Sequence, residues 1–500
     1  MKRILLFNPR AADHKPRIPN SVLQVAASID GKYEWTIVDG NLEEHPAARI
    51  FHYLRSGAYD VLGCTVMPGP QLRQAIPICK SVRESFPDVK IVWGGYFPSN
   101  QPKVCLESGY VDVIINGPGD KCFLQLLDSW ELGVGSWENI PNLIFLKDGK
   151  ILKTKKDEIY DQDELPDLPY EKLNEFYPIR KYLGKTWLGK NTIAYHSSFG
   201  CPFTCSFCAV VPIYNARWKG RSAEKIFHDV KYLKDEFGGD SIEFHDNNFF
   251  VSEKRIIEFS KLMLHEKMNW WGEGRIDTID KFKDETLQLM RDAGCKMIFF
   301  GAETGDDERL KQMDKGGTQT GEQILRFAER MKKFDIIPEY SFVLGTPAKN
   351  EEESLKQIED DIHFIRKVKE ANPATEIIIY TFSPVPTEGS ELFEKVKATG
   401  FHFPQQLEEW ISPAWENFDL RKNPLTPWLN GKMINRIRNF ETVLNGYYPT
   451  VSDVRFSDAK RSFSKMYAAF RYRTGFYAFP YGIKVMQKLW KYRQPEKEGF

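Results

Sequence analysis

No stretch of the 500-residue sequence approaches the roughly 20 uninterrupted apolar residues that a membrane-spanning helix needs, so a transmembrane anchor is not expected. The amino terminus lacks the long apolar core and small-residue cleavage site of a secretory signal and reads as a strand entering a loop, which points to the cytoplasm. Neither charge sign dominates. Lys+Arg and Asp+Glu both number 69, which leaves no net electrostatic footprint for nucleic acid. Cysteine is scarce, eight in all, too few for a disulfide scaffold in so long a chain. There is no low-complexity tract and no internal repeat beyond strand-helix alternation. What remains, 42% hydrophobic and 28% charged residues, suits two or three folded domains with separate cores.

Short apolar runs at 3–7, 36–39, 61–67, 90–94 and 111–116 alternate with helical patterns, and each closes on a turn signal such as Asn8-Pro9, Asp39-Gly40 or Gly94-Gly95. The pattern predicts a doubly wound parallel α/β sheet over residues 1–140, with a ligand at the carboxyl ends of its strands. Residues 141–189, which hold a short strand pair around Asp148-Gly149 and an acidic, proline-bearing stretch, are expected to be a linker. Six further strands at 193–197, 241–245, 269–272, 297–300, 339–344 and 376–382, each followed by a helical pattern, predict a partial (β/α)6 barrel over 190–384, with active residues at its strand ends. Residues 385–500 are expected to be a mainly helical extension. Its basic, aromatic stretch at 471–491 is either a set of helices closing the barrel or an amphipathic surface that meets membrane or an apolar substrate.

Three of the eight cysteines crowd behind the first barrel strand in Gly200-Cys201-Pro202-Phe203-Thr204-Cys205-Ser206-Phe207-Cys208. The spacing C-x3-C-x2-C places three thiolates on one tight loop. They can hold three irons of a cubane cluster while a fourth iron stays open to an exogenous ligand. Zinc is the rival metal, but a structural zinc wants a fourth ligand, and neither a second C-x2-C nor an H-x3-5-H pair lies nearby. Cys64 on an apolar strand and Cys295 just before the strand at Met297 read as small buried hydrophobes.

This cysteine loop resembles that of the radical S-adenosylmethionine (SAM) superfamily. The resemblance implies a [4Fe-4S] cluster on Cys201, Cys205 and Cys208, with the methionine moiety of S-adenosyl-L-methionine on the open iron and Phe207 beside its adenine. Asp246 and Asn247, after the second barrel strand, stand where the superfamily binds the methionine amino group. Glu273 and Arg275 end the third strand as ribose or carboxylate contacts. Gly301-Ala302-Glu303-Thr304-Gly305 with Lys315-Gly316 is similar to the fourth-strand segment of the B12-associated branch, and Leu344-Gly345-Thr346-Pro347 to its fifth-strand turn.

The first domain resembles the cobalamin-binding domain that precedes the barrel in one large radical SAM class. The matching residues are Thr65, Val66 and Met67 after the third strand, Gly94 and Gly95 after the fourth, and Gly117 and Gly119 after the fifth. Glycine at these turns would let backbone approach a bulky nucleotide tail. The D-x-H-x-x-G loop that ligates cobalt in other cobalamin proteins is absent. The corresponding loop holds His14, which reads better as an ordinary loop residue than as a ligand. The class implies reductive cleavage of SAM to a 5'-deoxyadenosyl radical, methylation of an unactivated carbon of a small-molecule, tetrapyrrole or lipid-like substrate, and an electron donor such as flavodoxin or ferredoxin. Two other readings stand beside it: a B12-dependent radical SAM cyclase or ring-rearranging enzyme, and a non-catalytic cofactor sensor.

Overall fold

The computed structural model describes residues 3–11, 16–133, 136–313, 319–383, 391–415 and 426–492. Two parallel sheets organise it. The first comprises β1 (Arg3–Asn8), β2 (Glu34–Asp39), β3 (Tyr59–Thr65), β4 (Lys90–Gly94), β5 (Val113–Ile115), β6 (Leu143–Lys147) and β7 (Lys150–Lys153), in the order β2-β1-β3-β4-β5-β6-β7. The strands β1 to β5 are parallel, as their near-continuous apolar runs require of a sheet covered on both faces.

The hairpin β6–β7, placed in the connecting stretch by the sequence reading, instead continues this sheet: β6 pairs antiparallel with β5. Its apolar residues Leu143, Ile144 and Phe145 are buried, which is why it docks rather than bridges. The following residues also dock. Tyr182 donates to the buried carboxylate of Asp39 at 2.7 Å, and Asn8 donates to the same side chain at 3.0 Å.

Two short strands, β8 (Thr192–Tyr195) and β9 (Ser198–Gly200), open the second unit, and β10 (Trp218–Gly220) pairs antiparallel with β9. Five strands complete its sheet: β11 (Ser241–Phe244), β12 (Asn269–Gly274), β13 (Cys295–Glu303), β14 (Ile337–Leu344) and β15 (Glu376–Thr381). Their order, β15-β14-β13-β12-β11-β8, is parallel throughout and matches the six expected barrel strands. The helices Gly431–Tyr447, Asp458–Thr474 and Tyr481–Leu489 follow, and Met433, Ile437 and Phe440 of the first bury into the main core. Among the described residues no helix is long and apolar enough to cross a membrane.

The carboxyl ends of the two sheets meet. Arg17 reaches Glu243 at 2.6 Å, Asn20 donates to the Ala194 carbonyl at 2.9 Å, and Arg221 donates to Gln24 at 2.7 Å.

Candidate active site

The cysteine loop begins and ends on the β9–β10 ribbon. Gly200 closes it at φ +74°, and a Cβ there would stand 2.2 Å from the Arg217 carbonyl, so only glycine fits. Beneath the ribbon lies Asp246, wholly buried. It accepts from the Ser197 amide at 3.1 Å, from the Ser197 hydroxyl at 2.8 Å and from the Ser198 hydroxyl. Asp246, expected as a cofactor contact, thus spends its oxygens holding the base of the loop, because a buried carboxylate needs its hydrogen-bond donors close by.

Cys201, Cys205 and Cys208 stand on this loop outside any disulfide, and the Cys208 amide donates to the Cys205 carbonyl at 3.1 Å. Arg275 is the cation beside them. Its Nη1 donates to Cys205 Sγ at 3.1 Å, its Nε and Nη2 grip Asp277 at 2.9 and 2.8 Å, and its guanidinium lies 3.9 Å over the Phe203 ring. Burial pushes the Cys201 thiol up, while the Phe203 amide, the Arg275 charge and the Asn248 side chain pull it back. A fixed cation beside clustered thiols lowers the cost of their thiolates. Three such donors on one loop fit a [4Fe-4S] cluster with one iron left open.

Facing the loop, the barrel interior is polar. His196 and His245 lie with ring centroids 6.1 Å apart, and Trp271 donates from its indole N–H to Glu339 at 2.9 Å. His196 keeps an exposed side, while the protein packed behind it and the neighbouring His245 push it down to about 4. Burial beside the carboxylates of Asp246 and Glu339 pushes Glu273 up to about 8. Glu303 ends β13 buried, at φ +63°, where a register shift interrupts the pairing with β14. A side chain other than glycine held in this left-handed region marks local strain, and such strain clusters at ligand sites. Phe207 is partly exposed on the loop. Lys315-Gly316 and His14 lie outside the described residues.

In the first domain the glycine turns divide into two kinds. Gly95 adopts φ +102°, and its Cβ would stand 2.7 Å from the Val66 carbonyl. It is glycine so that the β3 and β4 turns can touch, and Val66 there is fully buried. Gly119 is similar, since its Cβ would meet Val25 at 3.2 Å. These three, expected to approach a nucleotide tail, serve packing instead. Gly94 differs: its Cβ would meet nothing within 4 Å. Gly117, at φ +130°, has only Asn142 at 4.0 Å. With Thr65 and the 42%-exposed Met67, they leave an open cradle at the ends of β3, β4 and β5. That cradle fits a bulky planar cofactor laid on main chain. The two halves are joined by Tyr96, whose buried hydroxyl donates to Asn247 Oδ1 at 2.7 Å. Thus the turn after β4 is tied directly to the loop after β11.

Comparison with known proteins accords with this geometry. The Radical SAM superfamily model matches residues 195–365, and the B12 binding domain model matches residues 15–127. An uncharacterized methyltransferase of Pyrococcus horikoshii is 26% identical over 377 residues, covering 74% of this chain and 78% of the relative. An anaerobic magnesium-protoporphyrin IX monomethyl ester cyclase of Rubrivivax gelatinosus is 26% identical over 362 residues, covering 68% of this chain and 60% of the relative. The solved structure of the cobalamin-dependent S-adenosylmethionine radical enzyme OxsB superposes with a TM-score of 0.71 at 16% identity, covering 100% of this chain and 74% of that one.

A radical SAM domain behind a B12 binding domain is the arrangement that defines the cobalamin-binding radical SAM enzymes, and this chain is similar to them in both domains, with a methyltransferase among its relatives. The two domains imply a [4Fe-4S] cluster, SAM and cobalamin as its cofactors.

Sequence reasoning missed the roles of Phe203 and Arg17, and took Tyr96 only as part of the Gly94-Gly95-Tyr96 turn. Tyr96 directly follows the Gly94-Gly95 pair, and Phe203 lies inside the cysteine loop, so proximity to a motif was the available signal. No local pattern marks Arg17, whose partner Glu243 is 226 positions away.

Proposed function

We propose that this chain is a cytoplasmic cobalamin-dependent radical SAM methyltransferase that methylates an unactivated carbon of a small-molecule, tetrapyrrole or lipid-like substrate, with a flavodoxin or ferredoxin as electron donor. The observation that carries the reading is the Tyr96–Asn247 hydrogen bond at 2.7 Å, which ties the turn after β4, next to the open cradle, to the loop after β11 in the barrel. When bound, the cluster supplies the electron that cleaves SAM, and cobalamin carries the methyl group.

The chain's own residues set the stage. Cys201, Cys205 and Cys208 hold the cluster, with Arg275 balancing their charge. Asp246 fixes the loop. Asn247, Glu273, Glu303 and Phe207 would hold the cofactor's methionine, ribose and adenine. Thr65, Met67, Gly94 and Gly117 give cobalamin a main-chain seat.

Anaerobic incubation of the reconstituted protein with SAM, a low-potential reductant and cobalamin tests the reading. It predicts both S-adenosylhomocysteine and 5'-deoxyadenosine. The resemblance to the Rubrivivax cyclase favours a second reading, ring closure without net methyl transfer, for which 5'-deoxyadenosine would appear without S-adenosylhomocysteine.

A further inference from the structure

Exposed apolar side chains are distributed unevenly over the molecule. Of fifteen exposed large hydrophobic residues among those described, eleven lie between positions 451 and 489. In the helix Asp458–Thr474, Phe463, Met466, Tyr467 and Phe470 are 49, 68, 52 and 70% exposed. Their spacing of i, i+3, i+4 and i+7 sets them on one face. Ser464, Ala468 and Tyr472, on the opposite face, are buried. In the helix Tyr481–Leu489 the stripe Tyr481, Val485 and Leu489 is 66, 56 and 75% exposed, while Ile483 and Met486 face inward.

The two stripes form one surface. Gly482 lies so close to Tyr467 that a Cβ would stand 2.1 Å from its hydroxyl, and Phe476 and Phe479 in the connecting turn are also exposed. Helices that only close a barrel bury one apolar face. These two bury one and present another.

The charge along this surface is almost all of one sign, with Asp458 at the start of the first helix its one acidic residue. Residues 459–492 contain eight Lys and Arg and no Asp or Glu. Among the described residues, ion pairs at this end of the fold join Arg436 to Glu359 and Arg455 to Asp453, and none engages the eight. A second copy of the chain is a poor occupant, because a two-fold interface would set these cations against themselves. Apolar side chains flanked by tyrosines and ringed by cations have the composition of helices that lie in the plane of a membrane interface.

We propose that the helices Asp458–Thr474 and Tyr481–Leu489 form a peripheral docking face for an anionic lipid bilayer, a role that goes beyond the chemistry of the barrel. Phe470, Phe479 and Leu489 enter the acyl boundary, and Arg473 and Lys488 meet the headgroups.

Co-sedimentation of the full-length holoprotein with vesicles tests this. Vesicles of phosphatidylcholine with about 30 mol% phosphatidylglycerol should bind at least about tenfold more tightly than phosphatidylcholine alone, and added salt should weaken the binding. The triple variant Phe470→Ser/Phe479→Ser/Leu489→Ser should lose about tenfold or more of that binding with melting and 5'-deoxyadenosine formation unchanged, since all three side chains are exposed. Arg473→Glu/Lys488→Glu should abolish the preference for anionic vesicles. Equal partitioning into both vesicle types, or a triple variant that sediments like the parent, overturns the proposal. A dimer in light scattering that the triple variant abolishes also overturns it, assigning the face to a second copy.

Discussion

The two parallel sheets end against one another but build their sites in opposite ways. In the barrel the crossover helices starting at Ala223, Glu253, Gly321 and Glu351 are capped by Ser222, Ser252, Thr320 and Asn350, whose side chains accept from the helices' own amides. In the first domain the helices that follow Pro19, His45, Gln71, Gly95 and Gly119 carry no side-chain cap. Their first amides are met by main-chain carbonyls instead: Asn20 donates to Ile18 at 2.8 Å, Leu72 to Gly69 at 3.1 Å and Phe97 to Val66 at 3.1 Å. The barrel site is therefore made of side chains: thiols, one guanidinium and buried carboxylates. The first-domain site is made of main chain. A side-chain site fails when an atom is removed, and a main-chain site when one is added.

The largest expected effect follows from removing a thiol. Alanine at Cys201, Cys205 or Cys208 should abolish iron binding and bring SAM cleavage below detection, while corrinoid binding persists, as read from iron content and corrinoid absorbance. Next comes Arg275→Met. It takes the guanidinium from Asp277 in a pair whose side chains are 7 and 3% exposed, and should cost about 3–5 kcal/mol in denaturant unfolding together with cluster retention.

On the main-chain side the comparison sharpens at adjacent glycines. Gly95→Ala, with its Cβ 2.7 Å from the Val66 carbonyl at φ +102°, should cost about 1–3 kcal/mol of stability. Gly94→Leu fills open space, so melting should hold while corrinoid affinity falls. If both behave alike, the division into packing and cradle glycines fails. Tyr96→Phe removes one neutral hydrogen bond between the domains and should cost about 1 kcal/mol.

A further effect is one of pH. Glu273, raised to about 8 by burial, binds its proton more tightly folded than unfolded, so it should lower stability as pH rises from the ordinary carboxylate value of 4.5 toward 8. Glu273→Gln, which mimics the protonated form, should flatten that decline in melts across the window.

The same division explains what the sequence disclosed. All six barrel strands and the cysteine loop were legible because period, turn chemistry and thiol spacing are local. The hairpin β6–β7 was legible as a hairpin but not as part of the first sheet, since its partner β5 lies some 30 positions back and edge pairing leaves no sequence mark. Arg275 was found as a strand-end residue, but its grip on Cys205 depends on a contact 70 positions distant. Asp246 was read as a ligand because a strand-end carboxylate looks the same whether it faces a cofactor or two serines. Glycines reveal that a turn is tight without telling what approaches it, so Gly94 and Gly95 looked alike.

The central claim is that the main-chain cradle and the thiol loop hold two cofactors in one chamber. Quantifying iron and corrinoid in the anaerobically purified protein, produced with cobalamin supplied, tests it most directly. The account predicts one [4Fe-4S] cluster and one corrinoid per chain, with Gly94→Leu losing only the corrinoid. A protein that carries its full complement of iron but no corrinoid would contradict it.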